Sequence, residues 1–433
     1  MKDYRKLAPV IMILLFALGV YMVVDDNLSA ETGYESDIAM ARDYAQQGVI
    51  VYAMQYYESA LSRRPSVELY MEIAKFYLDR GMNGEAYEWA DMAVKAYPKD
   101  PKALEGFIEI AYKLKDYVAC YRKYDMAKTK NLTTVRMEEI MKGIEYEYHI
   151  SSSYEEVGAY MGSMCPVSNS AYWGYAGADG KEWISMMYKF TGVFYDGKGP
   201  VVDMDGKAFY INENGDVVYN VADVEYAEKL GLMEGTIYSV YDGKEWKFYD
   251  TEAGFLCGGY TDATCIDNGM FTAEKDGKWK VYNYDGTPKI DKAYDEILYD
   301  DKMVAYRNER FFVKENEQYK MIDINGQQCG TETYEDAKIF FDATYAAVKK
   351  NGKWGFIDKD GNWMINPEYD DARSFSNGLA AVCKDDMWGY IDLENKLCID
   401  YLFDGAKDFN AFGVTFVYWG EEWNSLILYQ KNY

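Results

Sequence analysis

Apolar and polar positions change their spacing twice along this chain of 433 residues. Residues 7–24 form an uncharged, mainly apolar run that ends at Asp25. From about residue 34 to 148, apolar residues recur at every third or fourth position, which predicts amphipathic helices. From about residue 170 onward, short apolar segments alternate with turns rich in Asp, Asn and Gly, which predicts β-strands. We therefore predict three parts, residues 1–30, 31–149 and 150–433.

The N-terminal run fits the lower end of the length that a membrane-spanning helix needs. Lys2, Arg5 and Lys6 precede residues 7–24, so the positive-inside rule places the N-terminus in the cytoplasm and the rest outside. A cleaved signal peptide is the alternative, but Leu28 stands where the cleavage site requires a small residue. We predict an uncleaved signal anchor and a single-pass protein of the cell membrane with its bulk extracytoplasmic.

The helical part contains a repeat of its own. A set of five positions, Gly48, Ala53, Tyr57, Ala60 and Pro65, returns 33 residues later as Gly81, Ala86, Ala90, Ala93 and Pro98. A third copy lacks the Gly and the Pro, and a last helix is predicted within residues 131–148. This pattern resembles the tetratricopeptide (TPR) repeat, a pair of antiparallel helices in about 34 residues. The resemblance implies a solenoid whose concave groove binds a protein segment, with a simple helical spacer as the alternative.

The C-terminal two thirds repeat a unit whose clearest copy is Lys353-Trp-Gly-Phe-Ile-Asp-Lys-Asp-Gly-Asn362. Its phase is marked by eight residues separated by 33 to 40 positions: Trp173, Ala208, Trp246, Trp279, Tyr319, Trp354, Trp388 and Trp423. Asp or Asn follows the marker at four residues and Gly at seven, which is typical of a hairpin turn. A second aromatic follows at fifteen. Each unit is therefore predicted to contain two or three short strands.

These units resemble the WG repeat family, on the evidence of residues 353–358 with Asp360-Gly361, and of residues 387–392. The resemblance covers about residues 170–430 and implies a binding or scaffolding β-repeat with no fixed activity. We expect Gly355 to make room for an aromatic of the neighbouring unit. The unit after Trp423 lacks the Asp and Gly columns, as a capping repeat does. The units either close as a propeller or stack as a solenoid, and closure is favoured because it removes exposed strand edges.

The net charge of −26 predicts that the chain binds no nucleic acid, because phosphate backbones repel an acidic surface. The only histidine is His149, which we expect at the surface or at a hinge between domains. A single histidine excludes zinc sites with several His ligands, and the expected place of His149 at the domain junction argues against a Ser-His-Asp triad. The seven cysteines are predicted to fill apolar space, with a Cys257–Cys265 disulfide as the alternative in an oxidising compartment.

Two acidic segments, Asp203-Met-Asp205-Gly206 and Asp358-Lys-Asp360-Gly361, resemble the start of a calcium loop. The glutamate that such a loop needs eleven residues later is absent, since Asn214 and Tyr369 stand there, so we predict turns. The in-phase aromatics are expected in the repeat core rather than on a sugar-stacking surface. We predict no catalytic, cofactor-binding or metal-binding residue and no cofactor.

The predicted fold class is multidomain: an N-terminal transmembrane helix, an all-α TPR-like solenoid, and an all-β repeat domain that is propeller-like or a β-solenoid. The predicted function is non-catalytic protein interaction or scaffolding at the bacterial cell envelope, with a protein partner there and membrane contact through residues 7–24. The alternative is binding of carbohydrate or cell-wall glycan by the β-repeat domain. The two functions differ in which part of the chain retains the partner.

Overall fold

A computed structural model describes residues 31–222 and 224–431 of the chain. The chain divides into two compact units, of which the first ends at Glu145 and the second begins at Tyr146. The described part of the first unit is helical, and the second unit is built from β-strands. Each unit has its own core, and each is described separately below.

The first unit contains seven described helices. They are α1 (residues 31–46), α2 (Ile50–Arg63), α3 (Val67–Leu78), α4 (Asn83–Ala96), α5 (Pro101–Lys113), α6 (Tyr117–Thr129) and α7 (Val135–Gly143). The last helix is shorter than the one predicted within residues 131–148. The helices form three consecutive pairs and a final single helix, which is the predicted arrangement in outline. The TPR character of these pairs stays a prediction.

The same turn joins the two helices of each pair. Gly48, Gly81 and Lys115 all have a positive φ. At the second turn, the N–H of Gly81 bonds to the carbonyl of Leu78 at 3.0 Å, and the next N–H bonds to Tyr77 at 3.1 Å. These bonds satisfy the last carbonyls of the preceding helix. Lys115 adopts the left-handed conformation although its Cβ atom makes that conformation less favourable than it is for glycine. The third pair therefore has the same turn as the first two.

The second unit is an eight-bladed β-propeller, with four strands in seven blades and three in blade 4. Blade 1 has β2 (Glu156–Val157), β3 (Cys165–Ser168), β4 (Trp173–Ala176) and β5 (Glu182–Tyr188); blade 2 has β6 (Phe190–Thr191), β7 (Gly199–Val202), β8 (Ala208–Ile211) and β9 (Val217–Asn220); blade 3 has β10 (Lys229–Leu230), β11 (Ile237–Tyr241), β12 (Trp246–Asp250) and β13 (Gly254–Tyr260); blade 4 has β14 (Asp262–Ala263), β15 (Met270–Lys275) and β16 (Lys278–Asn283).

The remaining blades follow the same order. Blade 5 has β17 (Glu296–Ile297), β18 (Phe311–Glu315), β19 (Gln318–Ile322) and β20 (Gln328–Tyr334); blade 6 has β21 (Asp336–Ala337), β22 (Ala346–Lys350), β23 (Lys353–Ile357) and β24 (Trp363–Tyr369); blade 7 has β25 (Asp371–Ala372), β26 (Leu379–Lys384), β27 (Met387–Asp392) and β28 (Leu397–Phe403); blade 8 has β29 (Gly405–Ala406), β30 (Val414–Trp419), β31 (Glu422–Leu428) and β1 (Tyr148–Tyr154). Neighbouring strands are antiparallel. The short first strand of each blade lies nearest the propeller axis.

The first strand of the unit closes the ring. β1 pairs antiparallel with β31, with Tyr148 opposite Leu428 and Tyr154 opposite Trp423. This pairing decides between the two predicted architectures in favour of the propeller. The pairing also corrects the interpretation of the last repeat as a cap. The fourth strand of blade 8 is β1, so the chain needs no turn from β31 into a further strand.

The eight phase-marking residues lie in the third strand of their blades, so the predicted repeat units are the blades. The second aromatic, fifteen residues later, is the cross-strand partner of the first: Trp354 lies opposite Tyr369, and Trp388 lies opposite Phe403. Four of the aromatic phase markers are buried: Trp246, Trp279, Tyr319 and Trp354. The prediction that the in-phase aromatics form the core is confirmed for these four.

The glycine after the tryptophan makes room for backbone. A Cβ atom on Gly355 would lie 2.6 Å from the carbonyl oxygen of Ile365 and 2.7 Å from the nitrogen of Pro367, both in the outer strand of the same blade. The register shifts at this point, which brings the two strands close together. The expectation that an aromatic of the neighbouring unit fills this space is therefore wrong.

The Asp-x-Asp-Gly segments are turns, as predicted. In the clearest one, Asp358 Oδ1 accepts hydrogen bonds from the N–H groups of Asp360 at 2.9 Å and Asn362 at 2.8 Å, and Gly361 has a φ of 84°. The aspartate is engaged by its own turn, and glycine provides the left-handed conformation. Residues 31–222 and 224–431 contain no cluster of three His, Cys, Asp or Glu residues placed to hold a metal ion.

The membrane prediction requires a correction. Residues 7–24 lie outside the described residues, and none of the described helices is long and apolar enough to cross a membrane. Helices α2 and α4, for example, have 14 residues each, whereas a span needs about 20 predominantly apolar residues. The predicted fold class is corrected to a helical region followed by an eight-bladed β-propeller. The predicted single-pass membrane localisation is corrected with it, because it depended on the anchor.

Four of the cysteines predicted to fill apolar space are buried: Cys120, Cys165, Cys265 and Cys383. All seven cysteines are free, so the alternative disulfide between Cys257 and Cys265 is not formed. The expected place of His149 is the surface or a hinge; it lies half-buried within β1 opposite Ile427 rather than at a hinge, and burial lowers the pKa of its imidazole. Ser151–Ser153, which resembles a linker in sequence, lies within the same strand.

Candidate functional sites

An open groove of about 870 Å³ runs over the odd-numbered helices α1, α3 and α5. Its lining includes the apolar side chains of Val67, Met71 and Phe76. Gly106 on α5 permits this arrangement, because a Cβ atom there would lie 2.3 Å from Met71 Sδ. Side chains of these three helices are brought onto one surface by the repeated helix pair, which is what the TPR resemblance implies.

Charged side chains of both signs line the same groove: Arg42, Lys75, Arg80 and Lys102, with Glu68, Glu72, Asp79, Glu105 and Glu109. Ion pairs link successive odd helices. Arg42 Nε lies 2.8 Å from Glu72 Oε1, and Lys102 Nζ lies 2.7 Å from Glu68 Oε1. The hydrogen bond from Arg42 lowers the pKa of Glu72 despite its partial burial. Exposed pairs of this kind stabilise a fold by only about 0.2–1 kcal/mol, so a ligand can displace them at low cost.

In the propeller, one position next to the axis differs among the blades. It is the residue after the short first strand, whose N–H bonds to the second strand of its blade, as Arg373 does to Ala381 at 2.9 Å. The eight equivalents are Gly158, Gly192, Gly231, Thr264, Leu298, Lys338, Arg373 and Lys407. Blades 1–3 therefore present glycine to the axis, whereas blades 6–8 present three cations.

Blade 5 supplies the counter-charge. Its first two strands are joined by residues 298–310, at least five residues more than the equivalent connection in any other blade. We call residues 299–303 the axial insert. Asp300 Oδ1 accepts the N–H groups of Lys302 and Val304, and the carbonyl of Met303 accepts the N–H of Cys265 in blade 4 at 2.8 Å. The insert is thus fixed both by its own turn and by the neighbouring blade.

Asp301 of the axial insert reaches two cations, one in blade 7 and one in blade 8. Its Oδ2 lies 2.9 Å from Lys407 Nζ and 3.4 Å from Arg373 Nη2. Arg373 also makes two hydrogen bonds of 2.7 Å to Asp408. Burial alone raises the pKa of Asp301, but the charges of Lys407 and Arg373 outweigh it and lower that pKa to about 2. One carboxylate thereby connects blade 5 with blades 7 and 8.

Lys302 is the most buried charged group of the insert, with only 6% of its side chain exposed. Its Nζ lies 3.3 Å from the ring centroid of Phe341 and 3.7 Å from Asp300 Oδ2. Burial lowers the pKa of Lys302 and raises that of Asp300. The ring and the carboxylate partly offset the cost of taking the ammonium group out of water.

The insert lines two cavities. The larger, of about 270 Å³, borders blades 5 and 6 and reaches Arg373 and Asp408. The smaller, of about 160 Å³, borders the glycines of blades 1–3. The larger one holds charged groups and aromatic walls, and it is the candidate small-molecule site of the propeller.

Sequence reasoning found none of these axial residues and predicted no site residue at all. One signal was present. The separation between Trp279 and Tyr319 is 40 residues, the longest of the series, and it contains the insert. The acidic turns that attracted attention in the sequence lie elsewhere: residues 203–206 join the second and third strands of blade 2, and residues 358–361 join the third and fourth strands of blade 6.

We expect the network around Asp301 to weaken in acid. Its pKa lies near 2, below the ordinary value of 3.8, so its stabilising contribution is fully present above about pH 4 and is lost as the pH falls toward 2. The wild-type chain is expected to lose more stability between pH 5 and 2.5 than Asp301→Asn, measured as the urea midpoint of unfolding. Partial exposure of Asp301 reduces the size of the difference. Asp360→Asn, in an exposed turn, is the control, and its urea midpoint is expected to change with pH as that of the wild type does. If the urea midpoint of Asp301→Asn falls with pH as steeply as that of the wild type, the stabilising role of the Asp301 carboxylate is contradicted.

The sequence matches the family described as WG containing repeat at residues 173–207, 354–388 and 388–418. No curated protein matches the chain. Among solved structures, it is similar to BamB from Moraxella catarrhalis, with 10% identity, a TM-score of 0.42, and coverage of 64% of this chain and 99% of that chain. It is also similar to the computationally designed Ika8 protein, with 12% identity, a TM-score of 0.43, and coverage of 65% and 98%. WG repeats within a β-propeller indicate a protein-interaction domain.

Proposed function

We propose that this chain, which carries WG-containing repeats in an eight-bladed β-propeller, is a non-catalytic interaction protein whose helical groove binds an extended segment of a partner protein. The observation that carries the proposal is the open groove over α1, α3 and α5. An elongated surface built from successive helix pairs fits a segment of chain better than a compact small molecule. The propeller provides a second, acidic surface on the same chain.

The composition of the groove supports a protein partner. Apolar contact with Met71 and Phe76 supplies binding free energy, and the charged rims select register and direction. Because Arg42–Glu72 and Lys102–Glu68 already pair cation with anion, a partner segment with charges of both signs can exchange these pairs for its own. A nucleic acid is disfavoured, since the groove has five acids against four bases and the whole chain is strongly acidic.

A second candidate function is binding of carbohydrate by the propeller. It is favoured by two tryptophans outside the buried column, Trp183 in β5 and Trp419 in β30, whose side chains are exposed. An exposed indole offers the flat apolar face on which a sugar ring stacks. A glycan array probed with the wild type and with the double variant Trp183→Ala, Trp419→Ala tests it. Signals that disappear in the variant support this function, and a flat array refutes it.

The groove proposal is tested by reversing charge on its rim. Peptides selected from a random library on the full chain are expected to bind Lys75→Glu, Lys102→Glu at least about tenfold more weakly than the wild type, because two cations are replaced by anions. Fluorescence polarisation with labelled peptides measures the affinities. The matched control is Lys95→Glu, Lys128→Glu, which alters two exposed, ion-paired lysines of α4 and α6. Selected peptides that bind both double variants as well as the wild type would refute the groove.

A further inference from the structure

We propose that the larger axial cavity of the propeller binds a small zwitterion, namely an α-amino acid with an apolar side chain. The inference is independent of the protein-interaction proposal and concerns the other unit. It rests on the volume of the cavity, on two uncommitted charges of opposite sign in blade 6, and on the apolar walls beside them.

The volume limits the class of ligand. Pockets for drug-sized molecules measure about 300–1,000 Å³, and an engineered cavity of about 150 Å³ holds benzene. The axial cavity measures about 270 Å³. It therefore accommodates one ring or branched side chain together with a small polar head, and it excludes an oligosaccharide or a folded peptide.

Most charges that line the cavity already have partners. Arg373 is bound to Asp408 and Asp301, and Asp301 is also bound to Lys407. Glu296 accepts the hydroxyl of Tyr319 at 2.6 Å. These groups shape the cavity, but their hydrogen bonds within the protein leave them less available to a ligand.

Asp336 and Lys338 differ from the other lining charges. Within the described residues neither takes part in an ion pair of 4.0 Å or less; Asp336 Oδ1 accepts the N–H of Ala337, and Lys338 Nζ lies 5.2 Å from the ring centroid of Trp354. They are two residues apart at the end of one strand, so their side chains leave the same side of it. A carboxylate and an ammonium group on one wall match the ammonium and carboxylate of an amino acid.

Blade 7 provides the internal comparison. It has the same pattern, Asp371-Ala372-Arg373, and Asp371 Oδ1 likewise accepts a hydrogen bond from the N–H of Ala372. There, however, Arg373 forms ion pairs with Asp408 and Asp301. The residue of blade 7 that corresponds to Asp408 of blade 8 is Ser374, which carries no charge, so Lys338 of blade 6 lacks such a partner. The pair in blade 6 is therefore the one left for a ligand.

The apolar part of the ligand has walls to contact. Leu298 of blade 5 and Ile339, Phe340 and Phe341 of blade 6 line the same cavity. Ile339 and Phe340 are buried, so these walls are held by the core. A side chain seated against them loses contact with water, and this supplies the hydrophobic share of binding.

Three probes that differ only in their head groups test the proposal on the full chain by isothermal titration calorimetry. L-Phenylalanine carries both charges, 3-phenylpropionate lacks the ammonium group, and 2-phenylethylamine lacks the carboxylate. We expect L-phenylalanine to bind at least about tenfold more tightly than either analogue, since each analogue lacks one of the two charge-assisted hydrogen bonds. Equal affinity for the three probes, or no binding by any of them, would overturn the proposal.

Two variants test which residue binds the carboxylate of the ligand and which binds its ammonium group. Lys338→Met is expected to abolish the preference for L-phenylalanine over 2-phenylethylamine, and Asp336→Asn the preference over 3-phenylpropionate. The matched controls are Asp371→Asn, at the equivalent position of blade 7, and Lys384→Met, on an exposed part of β26. Circular dichroism verifies that all four variants fold. Unchanged preferences in Lys338→Met and Asp336→Asn, or the same losses in the controls, would contradict the assignment even if the amino acid binds.

Discussion

Replacing Trp354 by alanine is expected to lower the free energy of unfolding by about 3–5 kcal/mol, the largest effect that we predict for a single side chain. Trp354 is 3% exposed and lies opposite Tyr369 in the next strand. It belongs to the core of blades 6 and 7, together with Phe356 and Phe375. Truncation leaves a cavity that the closely packed side chains of this core cannot fill. Urea-induced unfolding, followed by far-UV circular dichroism, measures the loss.

The matched control is Trp419→Ala, since Trp419 is 54% exposed at the end of β30. The same atoms are removed, but most of them already contact water. We expect a change within about 0.5 kcal/mol. If both variants lose the same amount, the buried tryptophan column does not hold the blades together, and its recurrence in the sequence needs another explanation.

Arg373→Met is expected to lower the free energy of unfolding by about 3 kcal/mol, the range measured when one partner of a buried ion pair is removed. The side chain of Arg373 is 25% exposed, and its guanidinium group binds Asp408 through two hydrogen bonds. Methionine retains the apolar stem but leaves Asp408 without its counter-charge and Asp301 with Lys407 alone. The urea midpoint of unfolding reports the change.

A second substitution separates charge from packing. Arg373→Met, Asp408→Asn removes the unpaired carboxylate as well, so we expect it to lose less stability than the sum of the two single variants. Arg136→Met in α7 is the control, because its pairs with Glu109 and Glu139 are exposed and contribute little. Additive losses in the double variant would mean that Arg373 and Asp408 contribute to stability independently, and they would contradict a stabilising role for the ion pair.

Much of the β-domain could be predicted from the sequence because its determinants are local. The turn at Asp358 is formed by hydrogen bonds within five residues. The pairing of Trp354 with Tyr369 joins residues of one hairpin, so both return at the same separation in other blades. The structure of one blade can therefore be predicted from one period of the sequence, and the number of periods gives the number of blades.

Ring closure could not be predicted in this way. The pairing of β1 with β31 joins residues about 280 positions apart, and Ser151–Ser153 in β1 resembles a linker. No local pattern distinguishes this strand, because its partner is chosen by the closure of the whole ring. The sequence shows that turn residues are absent after Trp423. Their absence fits a repeat that caps an array as well as a repeat that is completed by a distant strand, so it does not distinguish the two.

The axial site was missed for a related reason. Asp336 and Lys338 come from blade 6, the insert from blade 5, and Arg373 from blade 7. In the sequence these residues are separated by whole repeats and resemble the many other charged residues of an acidic chain. Only the long separation before Tyr319 showed that blade 5 carries extra residues, and a separation alone does not show where a loop lies.

The closing seam between β1 and β31 also has a consequence for biosynthesis. The ribosome releases β1 first among the strands, but β31 follows only after almost the whole propeller has been made. At roughly 5–20 residues per second, β1 waits on the order of tens of seconds for its partner. During that time β1 and the growing row of blades present unpaired strand edges, which are the surfaces through which nascent chains on one polysome can join each other. We therefore expect the yield of closed rings of this chain to depend on the rate of elongation.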